Sequence, residues 1–283
     1  MTVTLPLLTD PEDFAAFLAN KEDSKPLCIV DLSSSDNFFA GHIPGAIHLP
    51  FQALLCNQPP APGKIASLAQ LNDVFTRLGL REDTHFIVVD DEGGGWAGRF
   101  IWTLDAIGHR HYSYIDGGMI AWKAAKLPLE SGSGGMSGND SPAIAATDKE
   151  VKSLTLNCAV RATVENILER LNDDNFVVWD ARGPAEYSGE RVLAAKAGHI
   201  PGAINCEWTN MMDPERNYKI RTDAKQKLAL LGLDDTQRIV THCQSHHRSG
   251  FTYLLGKVLG FNIQGYDGSW SEWGNHPNTP VEK

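Results

Sequence analysis

Short apolar runs of four or five residues alternate with longer stretches in which apolar positions recur at helical spacing. Leu27 to Asp31, Phe86 to Val89, Phe176 to Asp180 and Arg238 to Thr241 are rich in β-branched residues and read as buried strands. Leu68 to Leu78 and Thr222 to Leu231 carry the 3.6-residue period of amphipathic helices. Strands that alternate with helices predict βαβ units, hence an α/β fold with a mainly parallel sheet flanked by helices.

The pattern occurs twice. Gly41-His-Ile-Pro-Gly-Ala-Ile47 and Gly198-His-Ile-Pro-Gly-Ala-Ile204 are identical. Around each copy the same features recur in order. A strand ends in an acid (Asp31, Asp180), the glycine-proline turn follows, a helical stretch ends in Leu-Gly-Leu, and a second strand leads towards an Asp-Gly segment and a tryptophan (Asp116 and Trp122; Asp267 and Trp273). Between the copies, residues 131–146 are small, flexible and poor in large apolar side chains. The expected organisation is therefore a first domain over 1–130, a linker over 131–150 and a second domain over 151–283.

The 283 residues are 42% hydrophobic and 21% charged, as in ordinary globular proteins. No run approaches the roughly 20 apolar residues of a membrane span, and the N-terminus carries acids where a secretory signal carries bases. A cytoplasmic protein without membrane contact is expected. The five cysteines are an odd number and widely spread, which predicts reduced thiols. A net charge of −10 argues against a nucleic-acid partner. The charge is uneven: residues 1–140 sum to −8 and residues 141–283 to −2, so the second half is friendlier to an anion.

The chemistry concentrates in Arg238-Ile-Val-Thr-His-Cys-Gln-Ser-His-His-Arg-Ser-Gly250. A strand delivers Cys243 into a polar loop that opens a helix, where unpaired N–H groups and the helix dipole favour thiolate over thiol. Arg248 adds a fixed positive charge, and the loop N–H groups of Gln244, Ser245, His246, His247 and Ser249 can cradle an oxyanion. This points to attack on an anionic sulfur or phosphorus compound. A zinc site from His242, Cys243, His246 and His247 is disfavoured, because no second ligand cluster accompanies it. A cysteine phosphatase of the cell-cycle type needs five residues between cysteine and arginine, and here there are four. In the first copy, Ile87-Val-Val-Asp-Asp91 aligned with Ile239-Val-Thr-His-Cys243 sets Asp91 opposite the cysteine, so that copy is expected to lack thiolate chemistry. Its Asp90, Asp91 and Glu92 are read as a solvated acidic loop rather than a cation site. Trp96 and Arg99, which follow that loop, are candidates to line a cleft between the copies.

Taken together, Val178-Trp-Asp-Ala-Arg182 with Glu186-Tyr187, the paired Gly-His-Ile-Pro-Gly-Ala segments, the Cys243 loop and Tyr266-Asp-Gly-Ser-Trp-Ser-Glu-Trp273 resemble the tandem-domain rhodanese family of sulfurtransferases over nearly the whole chain. The resemblance implies two rhodanese-like domains, the first inactive and the second catalytic. It implies a Cys243 persulfide that takes sulfane sulfur from a small anionic donor and passes it to cyanide or a thiol, with no cofactor and no metal. By resemblance Arg182 is the leading substrate ligand, with Arg191 and Arg248 as further cations. His246 and His247 are expected to shape specificity, while Asp31, Asp180 and the glycine-proline turns are expected to be structural. The loop Gln244-Ser-His-His-Arg-Ser249 has neither the Arg-Lys-Gly nor the Gly-Ser-Gly signature of better-known tandem enzymes. Thiosulfate is the expected donor, with 3-mercaptopyruvate sulfur transfer and a non-catalytic sulfur-carrier or interaction module as alternatives. The acidic first half would suit docking of a basic, sulfur-accepting protein.

Overall fold

The computed structural model describes residues 5–20, 26–132 and 154–283. The expected linker over 131–150 lies almost wholly outside the described residues. In the first half, β1 (Leu8–Thr9), β2 (Leu27–Asp31), β3 (Ile47–His48), β4 (His85–Val89) and β5 (Tyr112–Ile115) form one sheet in the order β1-β5-β4-β2-β3. Every pairing in it is parallel. Helices α1 (Pro11–Ala19), α2 (Ser35–Ala40), α3 (Leu68–Arg77), α4 (Gly95–Ala106) and α5 (Gly118–Ala124) connect and cover it. The four C-terminal residues of both β2 and β4 are buried without alternation, as in a parallel sheet covered on both faces. Helix α3 starts where Ser67 and Gln70 close a reciprocal capping box.

The second half repeats this plan. Its strands are β6 (Phe176–Asp180), β7 (Ile204–Asn205), the small antiparallel pair β8 (Met212–Asp213) and β9 (Lys219–Ile220), then β10 (Arg238–His242) and β11 (Asn262–Gly265). The parallel sheet has the order β11-β10-β6-β7. Helices α6 (Val164–Leu168), α7 (Pro184–Tyr187), α8 (Ala224–Leu230), α9 (Arg248–Leu259) and α10 (Ser269–Trp273) complete it.

The duplicated turns have duplicated supports. Gly45 and Gly202 take left-handed φ values of 76° and 69° and donate their N–H groups to Glu130 and Glu282 at 2.9 and 3.0 Å. His42 pairs backbone to backbone with Glu130, as His199 does with Glu282. The indole N–H groups of Trp122 and Trp273 donate to the carbonyls of Pro128 and Pro280 at 2.9 and 2.8 Å. Each repeat thus ends in a Pro-X-Glu tail that closes back on its own turn, consistent with the structural role expected of those turns.

The two halves meet along α4 and α9, and one apolar cluster runs from sheet to sheet through them. The helices cross backbone to backbone: a methyl group on Gly98 would stand 2.2 Å from the Gly250 carbonyl oxygen. Hydrogen bonds are exchanged across the junction in mirrored fashion. Asp116 accepts the N–H of Ile220 at 2.8 Å, and Asp267 accepts the N–H of Ile65 at 2.8 Å. At one end of the helix pair, buried Asp105 accepts the hydroxyls of Tyr112 and Tyr253 and pairs with Lys257.

Candidate active site

Strand β10 pairs with β6 up to His242 opposite Asp180, and Cys243 is the first residue beyond the ladder. The loop 243–247 then turns, with His246 at a left-handed φ of 58°, into α9 at Arg248. Its first residues are pinned by α10. The Cys243 carbonyl accepts the N–H of Trp270 at 2.9 Å, and the Gln244 carbonyl accepts the N–H and hydroxyl of Ser271 at 3.0 and 2.7 Å. The Asp-Gly-Ser-Trp-Ser segment also reaches the cysteine itself, the Ser269 hydroxyl oxygen accepting the Cys243 N–H at 3.3 Å.

Cys243 is 1% exposed. Burial pushes its thiol up, but the Arg248 charge, the Ser249 hydroxyl and N–H, and the Ser245 N–H outweigh burial and hold it below its ordinary value. Arg248 is aimed by a two-pronged bond to Glu186, with contacts of 2.6 and 2.9 Å. That bond, from a short helix whose Glu186-Tyr187 is part of the family pattern but had no role read from sequence, keeps the guanidinium charged beside the sulfur despite burial. The arrangement can stabilise a thiolate and, by the same donors, an anion brought to it.

The other expected site residues divide. Gln244 donates its amide to the Leu193 carbonyl at 3.2 Å, which ties the loop to the exposed segment that carries Arg191. The structure buries Arg182. It is 1% exposed, forks onto Asp180 at 2.6 to 3.0 Å, donates to the Gly198 carbonyl and lies over the Trp270 ring at 4.3 Å. Its Nε and Nη2 donors fasten β6 and the second glycine-proline turn, and none of these bonds uses Nη1.

The two loop histidines pack against the first half. His246 is buried against Trp102 of α4, and burial with the nearby Arg99 charge drives its pKa well below the usual imidazole value. His247 stacks on Trp96 at 4.2 Å, beside Trp208, and pairs with Glu92 of the first half. His242 faces Asp180 at 3.5 Å. The three imidazoles diverge and do not converge with Cys243 on one ion. Trp96 and Arg99 thus do lie at the junction, but as supports of the loop. Arg99 is fully buried and donates to the carbonyls of Gly63 at 2.7 Å and Leu54 at 3.3 Å.

The ladders also correct the alignment of the two copies. Asp31 pairs with Val89 as Asp180 pairs with His242, so Asp90, not Asp91, stands opposite Cys243. Asp90 is fully buried, and its carboxylate accepts the N–H groups of Gly93, Gly94 and Ala97 at 2.8 to 3.1 Å. Burial, then the Glu92 charge, push that carboxyl up to about 7. The first half has thus filled its own anion cradle with a side chain, and it has Gly95 where the second half has Arg248. Nor is this a solvated acidic loop. Asp91 accepts from Ser34 and Asn37, and Glu92 from the Trp96 N–H and His247. Among the described residues no group of three His, Cys, Asp or Glu side chains is placed to hold a metal ion.

Comparison with known proteins agrees with this geometry. The rhodanese-like domain profile matches residues 11–125 and again 163–276. A thiosulfate sulfurtransferase of Pseudomonas aeruginosa is 49% identical over 279 residues, covering 98% of this chain and 97% of that protein. One from Azotobacter vinelandii is 48% identical over 280 residues, covering 99% and 98%. Among solved structures, YnjE superposes with a TM-score of 0.85 at 20% identity, covering 98% of this chain and 68% of that one, a likeness of fold.

Proposed function

The chain belongs to the rhodanese family, as two rhodanese-like domains in tandem, and on that premise we propose how it works as a thiosulfate sulfurtransferase, with Cys243 as the sulfur carrier. The Cys243 thiolate attacks the outer sulfur of thiosulfate. The sulfur–sulfur bond of the donor breaks, sulfite leaves with the electron pair, and the outer sulfur remains on Cys243 as a persulfide. Cyanide or a thiol then attacks that sulfur and returns the electron pair to Cys243. No cofactor enters the cycle.

The observation that carries this reading is the contrast between two equivalent cradles. In the second half the N–H groups, Ser249 and Arg248 hold a thiol's pKa below its ordinary value. In the first half they surround a built-in carboxylate. Activation of the thiol favours catalysis over a passive carrier or docking module, and supports residues 151–283 as the catalytic domain. Arg248 and the loop N–H groups, including those of Gln244, Ser245 and Ser249, meet the donor's negative charge, with Arg191 as the cation at the rim. Helix and loop donors of this kind stabilise the developing charge of sulfite and of the persulfide. All five cysteines are unpaired, which supports a reducing, cytoplasmic setting. Among the described residues no helix is long and apolar enough to cross a membrane.

The test is thiocyanate production from thiosulfate and cyanide by the wild type and by Cys243→Ala, with mercaptopyruvate as the parallel donor. The expected result is turnover with thiosulfate that vanishes in Cys243→Ala. Turnover with mercaptopyruvate only would replace the donor and keep Cys243. Undiminished turnover in Cys243→Ala would overturn the assignment.

A further inference from the structure

Ser249 lies in the first turn of α9, buried, with its hydroxyl between two partners. It is one of the groups that hold the Cys243 thiol below its ordinary value, and it stands 2.7 Å from Nδ1 of His246. A hydroxyl has one hydrogen to give. If that hydrogen goes to the imidazole, the sulfur loses a donor. If Nδ1 carries a hydrogen of its own, the hydroxyl accepts it and is free to donate to the sulfur. The tautomer of His246 therefore decides what the thiolate receives.

The surroundings choose the tautomer. His246 is fully buried and held neutral, so it carries one ring hydrogen. Its Nε2 is buried without a hydrogen-bond partner, on the side of Gly265 and Trp102. Arg99 lies over that same Trp102 ring at 4.8 Å. The neighbours that act most on the ring are Arg99 from α4, His242 from β10, Arg161 from the segment before α6 and His247 from its own loop; Arg99 and Arg161 are the fixed cations, burial lowers the His242 pKa, and Asp267 pairs with Arg161. No acid among those four offers an acceptor to an Nε2 hydrogen. Positive charge attracts a lone pair and repels an N–H dipole, with little screening at a buried site. The lone pair is therefore placed on Nε2 and the hydrogen on Nδ1.

We propose that His246 is a positioning residue: its Nδ1–H, selected by the buried Arg99 of the first domain, donates to Ser249 Oγ and so turns the Ser249 hydrogen onto the Cys243 sulfur. The domain without the sulfur-carrying cysteine then acts on the chemistry of the other through one cation, held by the carbonyls of Gly63 and Leu54 and 3.5 Å from the His246 carbonyl. This rests on Cys243 being the sulfur carrier.

The experiment uses the full-length protein, freed of bound sulfur with cyanide, as wild type, His246→Ala, His246→Asn, His246→Gln, Ser249→Ala and the His246→Ala/Ser249→Ala double variant. The rate of iodoacetamide alkylation, read at the Cys243 peptide by mass spectrometry, is followed against pH. His246→Ala is expected to raise the pH midpoint of the reactive thiolate by about one unit, which is about tenfold less thiolate below the midpoint. Asparagine tolerates a left-handed backbone and presents an amide N–H where Nδ1 stood, so His246→Asn is expected to restore the midpoint. The double variant is expected to match Ser249→Ala, because His246 acts through Ser249. An unmoved midpoint in His246→Ala, or additive shifts in the double variant, would overturn the proposal. If the alanine variants do not fold, His246→Asn and His246→Gln carry the test, since glutamine places its amide near Nε2 instead, and equal midpoints in the two would overturn it. Alkylation reads the thiol whatever the donor is. A shifted midpoint in a protein that makes no thiocyanate would refute the proposed function and leave this inference standing.

Discussion

Gly98 lies in the domain that does not carry Cys243, yet replacing it with alanine should impair both folding and sulfur transfer. A methyl group there would stand 2.2 Å from the Gly250 carbonyl oxygen, 2.4 Å from its carbon and 2.8 Å from the Phe251 nitrogen. All three are backbone atoms of α9, so no side chain can swing aside. Restoring an ordinary carbon–oxygen separation needs about 1 Å of movement between α4 and α9. Overpacking of this kind costs about 1–3 kcal/mol, which for a chain of this size is a fall of roughly 2–6 °C in Tm. The movement would be delivered two residues from Arg248, at the first turn of the helix whose donors face Cys243. A displacement of about 1 Å at reacting groups can cost about 100-fold in rate. The check is thermal unfolding of Gly98→Ala beside its kcat/KM for thiocyanate formation, with an expected loss of tenfold or more. A variant with the wild-type Tm and kcat/KM would refute the claim that backbone contact at this crossing sets the loop.

Two further outcomes follow from the charges. Arg248→Lys keeps the charge but loses the two-pronged contact to Glu186, and a lysine does not hold its charge at the sulfur in the same way. Because the Cys243 thiol is depressed, reactive thiolate is lost as pH falls through its folded value. The acid limb of kcat/KM should therefore move to higher pH in Arg248→Lys, with about tenfold lower activity at neutrality, and a limb that stays in place would contradict the role given to Arg248. Burial pushes the Asp116 carboxyl up to about 6 even though the Ile220 N–H pulls it down. The folded protein thus binds the extra proton, so this group costs stability as pH rises from about 4 to its folded value. Asp116→Asn should gain on the wild type across that window by roughly 2 kcal/mol in urea unfolding, and a difference independent of pH would show that the carboxyl does not titrate there.

Much of the architecture was legible because it depends on local pattern. β-Branched runs and helical periods located β2, β4, β6, β10 and α3 to within a residue or two, and the repeated Gly-His-Ile-Pro-Gly-Ala segment announced two copies of one α/β unit. The Cys243 loop stood out because nucleophile, cation and loop N–H groups are neighbours in the chain. What the sequence could not place is what arrives from elsewhere. Arg182 and Arg248 look alike as arginines that follow a strand end or a cysteine. Only the packing shows that Asp180, Gly198 and Trp270 occupy the first, while Glu186 aims the second at the sulfur. The one-residue error that set Asp91 opposite Cys243 has the same origin, since register is a property of paired strands and not of a single strand's composition.

By itself, then, the sequence determined the fold class, the duplication and the segment that carries the chemistry, because propensity, periodicity and motif spacing all act within about ten residues along the chain. Tertiary structure decided which groups face the sulfur and in what state. It placed a carboxylate in one cradle and a thiol in the other, and it set Arg99 of one domain behind His246 of the other. Those choices depend on charge, burial and hydrogen-bond direction at separations of a few ångströms in space between residues up to some 150 positions apart, where no local pattern can record them.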